Sequence, residues 1–243
     1  MPEQDIILKN SLKLLKHDIH KMLQEGGLGA VFGRAGLGKT AFLVQVALNT
    51  LLSCKNVLHI SLNDPVKKIS LWYKEVFNNM AKASDADQTG IVWDMIVSRR
   101  FIMTFKVEGF SVPKLNERLT DITEQNIFLP DLMIIDGMPF DDSTREMLME
   151  LKDMAETNSL SMWFTVTSHR HEQPDSQGVP VQLQDVLDLF DAAIQLQPNG
   201  KAIQVNMLKG PAESERGPHL ILDPSTMLLK DKNYRFLTEG IHD

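Results

Sequence analysis

The octapeptide Gly33-Arg34-Ala35-Gly36-Leu37-Gly38-Lys39-Thr40 meets the spacing G-x-x-x-x-G-K-[ST] at every fixed position. A chance match in a chain of ordinary glycine content has a probability on the order of 1 in 100. An apolar run, Leu28 to Phe32, precedes it, and a helix-like run, Ala41 to Leu48, follows. The loop therefore stands where a strand should hand over to a helix. The glycines let successive backbone N–H groups turn inward around a phosphate chain, at the positive end of the following helix. The Lys39 ammonium then reaches the outer phosphates, and the Thr40 hydroxyl ligates the Mg²⁺ that bridges them. The expected ligands are ATP and Mg²⁺, with Gly33 to Thr40 and Ala41 as the binding stretch. Arg34 either covers the nucleotide or faces solvent.

The remaining chain alternates strand and helix patterns. Val57 to Leu62 reads as a strand, and Val66 to Ala83 as a helix. A helix around Ile91 to Val97, a strand at Phe101 to Val107 and a helix opened by Ser111 with Pro113 in its first turn come next. Leu132-Met133-Ile134-Ile135-Asp136 suits a parallel strand buried on both faces, delivering its carboxylate to the ligand edge. A helix starting at Asp142-Ser143, a strand at Leu160 to Thr167 and a short helix between Val181 and Phe190 follow. Ala192 to Leu196 and Ala202 to Leu208 read as a hairpin turned at Pro198-Asn199-Gly200, and His219 to Asp223 as an edge strand.

Such alternation over 243 residues predicts a single α/β domain. Its expected parts are an N-terminal capping helix in 1–26, a nucleotide-binding core in 27–223 and a C-terminal tail in 224–243. A formal charge of −7 speaks against extended phosphate-backbone binding, so nucleic acid is not an indicated partner. The single cysteine, Cys54, excludes an internal disulfide framework. No apolar run has the roughly 20 residues that span a bilayer, and the start lacks a basic secretory pattern, which predicts a cytoplasmic protein without membrane association.

From about Leu28 to Leu222 the order of motifs resembles the RecA-like ATPases, particularly their KaiC-type and replicative-helicase branches. The resemblance implies a three-layer fold, mostly parallel with a late antiparallel hairpin. It implies that Lys39 and Thr40 are the phosphate-loop pair and Asp136 the magnesium-supporting aspartate. It also implies that His169, in Thr167-Ser168-His169, senses the terminal phosphate, and that the protein assembles as a homo-oligomer or ring. Two departures stand out. The family's water-activating glutamate corresponds to Asn63, which leaves hydrolysis to Asp64 or to a water oriented by Asn63. Pro211 replaces the arginine of a Lys-x-Arg signature after Lys209, with Arg216 as a substitute. The expected activity is thus slow ATP hydrolysis, with an ATP-binding regulatory or scaffold module as the alternative and a DNA-handling ATPase as a weaker one.

Overall fold

The computed structural model describes residues 22–83, 89–169, 173–176, 178–210 and 220–231. Residues 1–21 of the capping helix expected in 1–26, and the loop containing Pro211 and Arg216, lie outside them. Strand β1 (Leu28–Gly33) is buried throughout and runs into the glycine loop, from which helix α1 (Lys39–Leu52) emerges. Helix α1 is buried all round, as Ala41-Phe42-Leu43-Val44 and Val46-Ala47-Leu48 require, with Thr40 its one half-buried residue. Strand β2 (Val57–Ser61) leads to helix α2 (Val66–Ala83). On α2, Ile69, Tyr73, Val76, Phe77 and Met80 recur at helical spacing and form its buried face. Helix α3 (Thr89–Val97) and strand β3 (Arg100–Thr104) follow, then helix α4 (Val112–Glu124) and strand β4 (Leu132–Asp136). Helix α5 (Thr144–Thr157), strand β5 (Ser161–Thr167) and the short helix α6 (Val181–Gln184) complete the alternation.

Strands β6 (Ala192–Asn199), β7 (Ala202–Lys209), β8 (Leu220–Asp223) and β9 (Leu228–Asp231) extend the sheet. Its order is β3-β2-β4-β5-β1-β6-β7-β8-β9, parallel from β3 through β6 and antiparallel beyond. Alternate residues of each strand feed two cores. Val31, Ile134 and Trp163 pack with α1, α2 and α3 on one face; Phe32, Met133, Ile135 and Phe164 pack with α4, α5 and α6 on the other. Each large side chain fully buried there contributes roughly 1.5–3 kcal/mol. The result is the expected three-layer α/β arrangement, with a late antiparallel extension.

Four local expectations are corrected. Strand β8 is not the edge: β9 pairs outside it, tied by the side-chain contact of Lys230 with Asp223. The first hairpin turns one residue later than expected, with Asn199 still paired to Ala202 and Gly200-Lys201 as the loop. Strand β3 stops at Thr104, before a 3-10 turn at Val107–Gly109. The helix expected over Val181 to Phe190 is split, because after Gln184 the chain re-forms as a 3-10 turn at Leu187–Leu189.

Candidate nucleotide-binding site

In this strand order β1 lies between β5 and β6, and β5 separates it from β4. The loop after β1 and the last residue of β4 thus meet at the carboxyl edge of the sheet, where open α/β sheets bind ligands. Arg34, Ala35 and Gly36 form the exposed crest of the loop, Leu37 is half-buried, and Lys39 is buried. Gly38 caps α1 in the left-handed region, at φ 79°. A Cβ there would stand 3.0 Å from the Leu222 side chain and 3.3 Å from the Met227 sulfur, so glycine is required both by conformation and by the β8–β9 hairpin packed behind it.

The Lys39 ammonium donates to the carbonyls of Gly33, at 2.9 Å, and Arg34, at 3.1 Å. These oxygens hold it inside the loop's curve, where phosphate oxygens would be its alternative acceptors. Burial holds its pKa down to about 8, against the opposing pull of the Asp136 charge.

Asp136 is bound on both oxygens. Thr40 Oγ1 donates to Oδ2 at 2.8 Å, and Thr165 Oγ1 donates to Oδ1 at 2.7 Å. Thr165 in turn accepts the N–H of Gly137 at 2.9 Å, which fixes the direction of its own proton. Thr40 comes from α1 and Asp136 from β4, so one contact joins the phosphate loop to the central sheet. A hydroxyl and a carboxylate this close form an oxygen pair of the kind that suits a hard divalent cation, and the residues present fit Mg²⁺.

The other expected residues lie around this pair. Asn63 Nδ2 is 3.5 Å from the carbonyl of Gly137, next to Asp136. Asp64 turns along α2: its Oδ1 accepts from Lys68 Nζ at 2.8 Å, while its N–H donates to Ser61 Oγ at 3.0 Å. His169 follows β5 and lines a cavity of about 320 Å³ with Gly33, Arg34, Leu37 and Gln197. Lys209 Nζ donates to Leu187 and Asp188 carbonyls of its own chain, at 3.0 and 3.2 Å. The structure thus brings Lys39, Thr40, Asp136 and Asn63 to one edge, sets His169 with Gly33 on the wall of a neighbouring cavity, and engages Asp64 with Lys68.

Sequence reasoning missed Thr165 and His59. His59 Nε2 lies 3.9 Å from Asp136 Oδ2, and its Nδ1 lies 3.1 Å from the Tyr73 hydroxyl. His59 is fully buried, and burial pushes its pKa down to about 4; Asp136 pulls upward and Arg100 adds to the lowering. Burial also raises the Tyr73 pKa. A polar residue interrupting an apolar strand, as His59 does between Leu58 and Ile60 and Thr165 between Phe164 and Val166, was the available signal.

Residues 3–146 match a family model described as an AAA domain, more than half of the chain. The chain is an AAA-domain P-loop NTPase. This AAA domain is related to the RecA-like ATPases, and its membership implies binding of a nucleoside triphosphate at the loop. The match takes in Gly33 to Thr40, Asn63, Asp64 and Asp136 and ends before Thr165 and His169. No curated protein matches the AAA-domain chain. Among its described residues no helix is long and apolar enough to cross a membrane, and no group of three or more His, Cys, Asp or Glu side chains is arranged to hold a metal.

Proposed function

We propose that the protein binds Mg-ATP and hydrolyses its terminal phosphate slowly, as a RecA-like ATPase of the KaiC and replicative-helicase type. The observation that carries this reading is the 2.8 Å contact between Thr40 Oγ1 and Asp136 Oδ2 beside a glycine loop ending in Lys39. Gly33, Arg34, Ala35, Gly36, Leu37, Gly38 and Ala41 present backbone N–H groups to the phosphate chain. Lys39 moves its ammonium from the Gly33 and Arg34 carbonyls to the outer phosphate oxygens. Thr40 and Asp136 hold Mg²⁺, which supplies charge neutralisation of the phosphoryl group when bound. His169 contacts the terminal phosphate, a role supported by its position just after β5 and next to Gly33.

A second reading is favoured by one observation: neither residue at the end of β2 is poised as a strong base. Asn63 is an amide, which orients water without accepting its proton, and the Asp64 carboxylate is paired with Lys68. A missing general base costs about 10²–10⁴ in rate. The module then acts through binding, as a nucleotide-gated switch or scaffold.

Phosphate release from ATP with Mg²⁺, measured beside nucleotide affinity, separates these readings, with Lys39→Ala as the control. Turnover that Lys39→Ala abolishes establishes the ATPase. Tight binding without turnover establishes the switch, and absence of both overturns the proposal.

A further inference from the structure

The sheet face that packs against α1 and α2 carries one buried polar chain among apolar side chains. It runs from Asp136 through His59 on β2 to Tyr73 on α2, and the Arg100 guanidinium lies 4.6 Å over the Tyr73 ring. The Trp93 ring is 6.0 Å from the same guanidinium, so Arg100 stands near two aromatic rings at once. Nothing in phosphate binding requires these groups. A fully buried histidine whose Nε2 has no hydrogen-bond partner among the described residues therefore needs an explanation.

The proton inventory supplies one. The buried Tyr73 phenol keeps its proton and must donate it, and His59 Nδ1, at 3.1 Å, is its acceptor among the described residues. An imidazole that accepts at Nδ1 carries its own proton on Nε2. That nitrogen lies 3.9 Å from Asp136 Oδ2. The opposite tautomer would orphan the tyrosine proton and turn a lone pair toward a carboxylate, two unfavourable arrangements at once. Thr165 and Thr40 already hold one lone pair on each carboxylate oxygen. Closing the 3.9 Å gap by about 1 Å would bring His59 to hydrogen-bond distance on the buried side of the group. A neutral donor there orients Asp136 without cancelling the charge a cation needs, which lysine or arginine would do.

We propose that His59, with its proton held on Nε2 by Tyr73, is a positioning residue that aims Asp136 at the cation on Thr40. The proposal rests on reading Thr40 and Asp136 as the holders of that cation.

The test combines a spectroscopic and a binding readout. Imidazole ¹⁵N shifts of the protein without nucleotide or metal, assigned through His59→Gln, report the tautomer directly. The proton is expected on Nε2, and a proton on Nδ1 overturns the proposal. Affinity for a non-hydrolysable ATP analogue is then measured with Mg²⁺ and with EDTA. His59→Leu is expected to lower the magnesium-dependent gain about tenfold, the range of outer-shell partners of metal ligands, and to leave metal-free affinity unchanged. His59→Gln, which keeps an N–H donor, restores most of that gain, and Tyr73→Phe gives an intermediate loss. A full magnesium gain in His59→Leu, or an equal loss with and without metal, overturns the positioning role alone. A wild-type protein with no magnesium gain removes the reading of Thr40 and Asp136, and the proposal with it.

Discussion

Asn63 rests its amide nitrogen against Gly137, where a Cβ would stand 2.2 Å from that nitrogen. Gly137 adopts φ 89°, so its missing side chain and its left-handed backbone together make room for Asn63 beside Asp136. Position 63 is exposed at the site's rim. Asn63→Glu is expected to raise turnover by about 10²-fold or more, measured as phosphate release at saturating Mg-nucleotide. Unchanged turnover together with a loss in Asp64→Asn would assign the base to Asp64. Asp64 is half-buried and its partner Lys68 exposed, so solvent screens the pair and Asp64→Asn should change stability by no more than about 1 kcal/mol.

Thr165→Val removes the hydroxyl that joins the Gly137 N–H to Asp136 Oδ1 while keeping the side chain's shape. The two groups left behind predict a loss of about 1–3 kcal/mol in urea unfolding. Magnesium-dependent nucleotide affinity should fall as well, because one of the two close donors to Asp136 is lost. A variant as stable as the wild type, with full magnesium dependence, would show that Thr165 holds nothing essential.

His59 predicts an acid limb in stability. Its folded value lies near 4, below the ordinary 6.5. As pH falls through that interval the unfolded chain takes up a proton the folded chain refuses, so stability is complete above 6.5 and drains away toward 4. The upper bound is about 3 kcal/mol. Urea unfolding at pH 7.5 and pH 5 measures it, and His59→Gln should flatten the difference. An unaltered slope in that variant would place the acid limb elsewhere.

Gln45 on α1 spans two backbone groups of the last hairpin: Nε2 donates to the Met227 carbonyl at 2.7 Å, and Oε1 accepts the Leu229 N–H at 2.8 Å. Gln45→Leu strands both groups and should cost about 2–4 kcal/mol. Hydrogen exchange at the Leu229 amide is the local check, with faster exchange expected in the variant.

The sequence carried the sheet's interior more clearly than its rim. Leu132 to Asp136 is apolar up to its final carboxylate because both faces of β4 are covered, and α2 ran from Val66 to Ala83 as its spacing predicted. The edge strand β9 was not legible, since Leu228-Leu229 is too short a run to signal a strand and the Leu229 amide is held by Gln45 far away in the chain. The same divide holds at the site. Gly33 to Thr40 form one local pattern whose spacing reflects the shape of a phosphate chain. Thr165 and His59 reach Asp136 only through the register of β5, β4 and β2, where Ile135 faces Phe164 and His59 faces Ile134. A strand pattern tells which residues are buried, and it does not tell which buried polar atoms will meet.

The Gln45 clamp also orders events in time. Synthesis delivers α1 long before residues 227–229, and until they emerge the buried amide of the phosphate-loop helix lacks both partners. Leu222 and Met227, which back Gly38, arrive equally late. A nascent chain therefore carries the complete glycine loop well before it can hold that loop rigid, and competence for nucleotide should appear only once the β8–β9 hairpin has docked against α1.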